Sequence, residues 1–296
     1  MSALYSGWVL EYCFVPNYPI SGVLYGAHNQ GVRKLPYCYV LLKGQGHVVM
    51  VDTGYNHREY GAVLGNRFGV ENWHSPADVL PECGVNPQDV DTIFITHAHF
   101  DHLGNIDDFP NATFYIQERE LSKWVWAMSL PNRMRWLMTA VDPSDILRAV
   151  DLAKQGRLVI IDGDRDNVLP GIDLRAAFDS HTYGCQWVHV RNDGEQPSAD
   201  SWVFAGDLVY VYDNMDNAGD IVDVDWMYTP VGLAVGSQAN LLLATEEMMK
   251  TVGYEMKRVI PIHEEKLKDV FPSRITKNQL RVSEIFSASG DLPAIT

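Results

Sequence analysis

The 296-residue chain predicts an α/β fold, a four-layer αββα sandwich of two packed mixed β-sheets with outer helices. Three observations lead there. Short apolar, β-branched or alternating runs bounded by Gly, Pro, Asn or Asp recur in two blocks, one before residue 117 and one after residue 156. In both blocks histidines and aspartates stand just past the ends of such runs, where a rigid scaffold holds a functional loop. Between the blocks, residues 117–154 depart from the strand rhythm and carry wide apolar helical faces. Residues 1–296 are therefore expected to form a single domain with a helical insertion at about 117–156.

Taken in order, residues 8–15 read as a first strand. Pro16 and Pro19 are expected to break it into an aromatic, Gly-rich loop running to Gly31, with Phe14, Tyr18 and Tyr25 ordering that loop near the active site. Strands at 37–42 and 47–51 are joined by Lys43-Gly44-Gln45-Gly46. Residues 75–83 read as a helix, with Ser75 as N-cap, Pro76 at the first position and Gly84 closing it. Strands follow at 92–95 and 112–116. The insertion holds Trp124, Trp126, Met128, Met134, Trp136, Leu137 and Met138, interrupted by Pro131 and Pro143, and reads as two or three helices. Its apolar face has three readings: packing on its own core, a wall over the site, or a homodimer surface. The second block gives strands at 157–161, 172–177, 187–190 and 201–205, a helix at 237–252 and a strand at 258–262.

Composition narrows the function classes. A formal net charge of −15 argues against a nucleic-acid or anionic-membrane partner, which needs basic patches. No apolar run approaches the roughly 18 residues of a membrane span. Residues 1–7 lack the charged and apolar regions of a signal peptide. Cys13, Cys38, Cys83 and Cys185 form no C-x-x-C pair and read as reduced thiols of a cytoplasmic protein. Cys185 lies close to His181 in sequence and is read as a packed thiol.

The chemistry centres on Thr96-His97-Ala98-His99-Phe100-Asp101-His102-Leu103-Gly104. Neutral imidazoles and a carboxylate are ligands for a borderline metal such as Zn²⁺. The spacing is too tight for one ion to use all four groups. His97 and His99 can point the same way, while Asp101 and His102 start a second cluster, so two metals are expected.

This segment resembles the signature of the metallo-β-lactamase fold superfamily, and the rest of that pattern is present in order. His181 stands in a downstream turn, Asp207 follows Val203-Phe204-Ala205-Gly206, and His263 follows Val259-Ile260-Pro261-Ile262. Upstream, Asp52-Thr53-Gly54 supplies an Asp-x-Gly turn, with Asp52 expected to hold the ligand loop by hydrogen bonding rather than to bind metal. The resemblance implies that one ion takes His97, His99 and His181, the other Asp101, His102 and His263, and that Asp207 bridges both. Two divalent ions, most simply Zn²⁺, would activate a shared water, and the resulting hydroxide would attack a carbonyl. Tyr210, three positions beyond Asp207, stands where acyl-homoserine lactonases of this fold carry a tyrosine that hydrogen-bonds the substrate carbonyl. The resemblance thus implies a dinuclear hydrolase opening a lactone, with Asp101 passing a proton to the leaving alkoxide. Against the lactonase pattern, His181 lies in Ser-His-Thr-Tyr-Gly-Cys, and the insertion is longer. Hydrolysis of another ester, a thioester, a cyclic amide or a phosphotriester stays open. So does a metal-stabilised binding protein.

Overall fold

Thirteen strands in the described residues, 3–216 and 226–288 of the computed structural model, build two sheets. The first block supplies β1 (Tyr5–Pro19), β2 (Val32–Gly44), β3 (His47–Val51), β4 (Thr92–Phe94) and β5 (Thr113–Gln117). The second supplies β6 (Leu158–Ile161), β7 (Arg165–Leu169), β8 (Ile172–Phe178), β9 (Gly184–Arg191), β10 (Ser201–Phe204) and β11 (Val259–Ile260), followed by β12 (Ser273–Ile275) and β13 (Arg281–Phe286). One sheet runs β12-β13-β1-β2-β3-β4-β5-β6 and the other β11-β10-β9-β8-β7. Both are mixed: β3 to β6 pair in parallel, as do β10 and β11, and the remaining pairs are antiparallel.

Parallel strands covered on both faces should be apolar throughout. Val49, Met50, Ile93, Phe94, Phe114 and Ile116 are buried accordingly. The Pro143–Lys154 helix packs against β6 on one side, and the Gln238–Thr251 helix against β8 and β10 on the other. The Glu118–Met128 helix touches β5 and β9, and so bridges the two sheets. No helix among the described residues is long and apolar enough to cross a membrane.

Some elements differ from the sequence reading. Pro16 and Pro19 do not end the first strand; β1 continues to Pro19 and pairs Tyr18 with Arg33. Pro16 falls within a register shift between Val15 and Tyr18, and β13 pairs with β1 only from Gly7 to Leu10. Proline is tolerated there because a bulge on a one-sided strand asks for no ladder donor. The expected 75–83 helix is one α-turn, Pro76–Val79, continued as a 3₁₀ turn from Leu80 to Cys83, with Ser75 and Asp78 forming a capping box and Gly84 in the left-handed region at φ 67°. The insertion divides its apolar residues. Trp124 and Met138 are buried, whereas Trp126 and Trp136 stay 48% and 63% exposed.

Candidate metal centre

The seven expected ligands come from four separate segments, all leaving strand ends. Beyond β4 the chain carries His97 and His99 and then the short Phe100–Leu103 helix with Asp101 and His102. His181 lies in the turn between β8 and β9, Asp207 in the 3₁₀ turn Gly206–Leu208 after β10, and His263 just past β11. Gly206 is required at φ 53°, where a Cβ would lie 2.8 Å from the Thr96 side chain. A Gln186 N–H bond of 2.9 Å to the Thr96 carbonyl joins the sheets beside the ligand loop.

These side chains converge into two groups, His97, His99, His181 and Asp207, and Asp101, His102, His263 and Asp207, each with its ligand atoms within 4.8 Å of one another. Asp207 serves both groups, one oxygen to each. Its Oδ2 lies 3.2 Å from His181 Nε2 and 3.6 Å from His97 Nε2, and its Oδ1 lies 3.0 Å from His263 Nε2 and 3.2 Å from His102 Nε2. His102 Nε2 and His263 Nε2 lie 3.6 and 3.8 Å from Asp101 Oδ2.

The donor set suits divalent cations. His97 Nε2 and His102 Nε2, both facing Asp207, are buried without a hydrogen-bond partner among the described residues, an arrangement that is costly for a nitrogen with nothing to bind. The outward nitrogens fix the tautomers. His102 Nδ1–H donates to Asp52 Oδ2 at 2.7 Å, and His263 Nδ1–H donates to the Pro36 carbonyl at 2.8 Å, so in both rings Nε2 is the nitrogen turned inward. Burial holds the His97 and His99 imidazoles well below their ordinary range, which keeps them neutral. Burial would raise Asp207, but the facing His102 and His263 outweigh it and keep the carboxylate ionised.

Residues 33–189, just over half of the chain, match the family described as the Metallo-beta-lactamase superfamily. The chain belongs to this superfamily. A probable metallo-hydrolase of Mycobacterium tuberculosis is 31% identical over 109 residues, 33% of this chain and 34% of that protein. The match thus spans about a third of the length of that curated relative. An N-acyl homoserine lactonase of Azorhizobium caulinodans is 49% identical over 37 residues, 12% of this chain and 14% of that protein. Among solved structures, an N-acyl homoserine lactone hydrolase with N-hexanoyl-L-homoserine at its catalytic metal centre superposes with a TM-score of 0.64 at 19% identity, covering 91% of this chain and 97% of that one. A dizinc quorum-quenching lactonase superposes at 0.61 with 15% identity, covering 98% and 97%. At these identities the likeness shows the shared fold.

Around this metallo-β-lactamase centre the structure adds groups that spacing did not single out. Asp52 meets the expectation of a loop holder, accepting from Thr96 N at 2.7 Å, Thr96 Oγ1 at 2.8 Å and His102. Asn214 Oδ1 accepts from the backbone of Tyr210 and Val211, each at 3.0 Å, and Glu264 Oε2 from Tyr212 N at 2.7 Å. Together they fix the strap that carries Tyr210. The Tyr210 ring lies between the two groups, its centroid 5.7 Å from His181 and 4.8 Å from His263. Burial and then Asp207 raise its hydroxyl well above the ordinary range, so it keeps its proton. Cys185 stays outside both groups; its Sγ accepts from Thr182 N at 3.3 Å, and burial pushes the thiol up.

A cavity of about 20 Å³, room for about one water, lies among Tyr18, Tyr37, Asp101, Asp207, Tyr210 and His263. Beside it, an apolar pocket of about 10 Å³ is lined by His99, Trp136, Leu137, Ala140 and Leu233. Part of the insertion therefore does wall the site. Tyr18 also lines it, although it stands on the extended β1 rather than in a loop.

Proposed function

We propose that this protein is a dinuclear metal-dependent hydrolase that opens a lactone ring. The observation that carries the reading is Asp207, buried, with one oxygen facing each histidine group and the ring of Tyr210 set against His181 of one group and His263 of the other. His97, His99 and His181 would hold one ion, Asp101, His102 and His263 the other, with Asp207 shared. Two divalent cations bound there, most simply zinc, would supply Lewis acidity toward a carbonyl and activate water near neutral pH.

The chain's own groups then do the rest. Tyr210 donates to the substrate carbonyl oxygen and more strongly to the oxyanion as it develops. Asp101 accepts a proton and returns it to the alkoxide released when the ring C–O bond breaks. Tyr18, Tyr37 and Leu233 exclude bulk water. Trp136, Leu137 and Leu233 form the apolar wall that a ring at the centre would lie against. The homoserine product held by a solved neighbour supports a lactone as substrate. Another ester, a thioester, a cyclic amide or a phosphotriester on the same centre is the second reading. The four free cysteines support a cytoplasmic setting, and the exposed Trp126, Met134 and Trp136 offer an apolar face for a homodimer.

Metal-replete protein should turn over at least one lactone faster than any thioester or phosphotriester in the same panel. Tyr210→Phe should lower kcat on that lactone roughly ten- to a hundredfold at unchanged metal content, since a cation shares the oxyanion. No lactone turnover, or unchanged kcat and KM in Tyr210→Phe, would refute the reading.

A further inference from the structure

Glu120 opens a different question, because it ties together only half of the centre. It lies in the first turn of the Glu118–Met128 helix with no exposed surface, and burial raises its carboxyl against the pull of its hydrogen bonds. Four neutral donors converge on it. Oε1 accepts from Ala98 N at 2.8 Å and Trp124 Nε1 at 2.7 Å, and Oε2 from Thr182 Oγ1 at 2.8 Å and Gly184 N at 2.6 Å. Ala98 stands between His97 and His99, and Thr182 follows His181. One oxygen therefore clasps the loop that carries two imidazoles of the first group, and the other clasps the turn that carries the third. Gly184 permits the approach, since a Cβ there would lie 2.3 Å from Glu120 N.

None of these four donors belongs to the Phe100–Leu103 helix or to the segment of His263. In the second group His102 leans on Asp52 and His263 on the Pro36 carbonyl. A carboxylate buried among neutral donors is a costly way to attach a helix, which apolar packing would do as well. What it supplies is two oxygens on one rigid plane, each fixing a different ligand segment.

We infer that Glu120 is a positioning residue for one of the two metal positions, the one formed by His97, His99 and His181, so that the two positions can be weakened separately. The inference rests on the dinuclear reading above.

The test is titration of metal-free protein with Zn²⁺ against a chromophoric chelator, with Co²⁺ absorption bands as a second readout. Glu120→Gln replaces one oxygen with an NH₂ that faces N–H or O–H donors, which opens one arm of the clasp. It should weaken one ion by about ten- to a hundredfold and leave the other at wild-type affinity. Thr182→Val removes one bond at nearly constant shape and should weaken the same ion about fivefold. In a His181→Ala background, where only the second group is intact, Glu120→Gln should change nothing. Equal weakening of both ions, unchanged affinity for both, or an effect of Glu120→Gln in the His181→Ala background would overturn the inference. If Glu120→Gln does not fold, Thr182→Val decides alone by the same criteria. Wild-type protein that binds fewer than two ions would overturn the dinuclear reading and this inference with it; wild-type protein that binds two while the variants behave as wild type overturns the inference alone.

Discussion

Replacing Asp52 with Asn should disable His102 as a ligand without changing the shape of either side chain. Asp52 accepts three hydrogen bonds, from Thr96 N at 2.7 Å, Thr96 Oγ1 at 2.8 Å and His102 Nδ1 at 2.7 Å. If the Asn oxygen keeps the bond from Thr96 N, its NH₂ group faces Thr96 Oγ1 and His102 Nδ1. The hydroxyl oxygen can accept. The imidazole can accept on Nδ1 only by moving its proton to Nε2, the nitrogen that lies 3.2 Å from Asp207 Oδ1 and 3.6 Å from Asp101 Oδ2. Returning to the ligating tautomer sets one N–H against another and leaves a buried donor unmet, at about 1–3 kcal/mol. At 1.4 kcal/mol per factor of ten, that weakens one ion about five- to 150-fold. The assay is the Zn²⁺ competition titration, with nitrogen NMR of the His102 ring reporting the tautomer. Two ions bound at wild-type affinity, with Nε2 of His102 unprotonated, would refute the reasoning.

Three further outcomes follow from the same geometry. Asp207→Asn should lower the affinity for both ions together, because each oxygen faces a different histidine group; retention of both ions by elemental analysis would remove it as the bridge. Gly206→Ala should destabilise the fold by about 1–3 kcal/mol in urea unfolding, since it combines φ 53° with a contact of 2.8 Å to Thr96; unchanged stability would contradict that approach. Asp173 is buried, which would raise its carboxyl, but bonds from His189, Arg191 and Asn167 N hold it below the usual carboxylate range. Its folded pKa is depressed, so its contribution is present above the unfolded value of about 3.9 and is lost as pH falls below it. Asp173→Asn should therefore cost about 3–5 kcal/mol at pH 7 and flatten the acid limb of the stability curve; an acid limb identical to wild type would count against the assignment.

The division between chain and fold runs through particular residues. His97, His99, Asp101 and His102 were legible in the sequence because they share one short loop, and a tight run of ligand chemistry after an apolar strand has few other uses. His181, Asp207 and His263 were legible only through a family pattern, since nothing local says that a histidine 79 positions beyond His102 will face the same point. The run of β1 through Pro16 was not legible, because proline's cost depends on whether a neighbouring strand asks for its N–H, and pairing is a property of the sheet. Glu120, Asn214 and Glu264 look in sequence like ordinary polar residues. Their work is to accept hydrogen bonds from backbone and side chains far along the chain, such as Gly184 N, 64 positions away from Glu120. The sequence by itself determined which atoms can bind a cation and which strands are apolar enough to be buried. Only the tertiary structure decided which imidazole nitrogen turns inward, which oxygen of Asp207 meets which group, and which carboxylate stands behind each, because those depend on directions between segments that meet only when the two sheets pack.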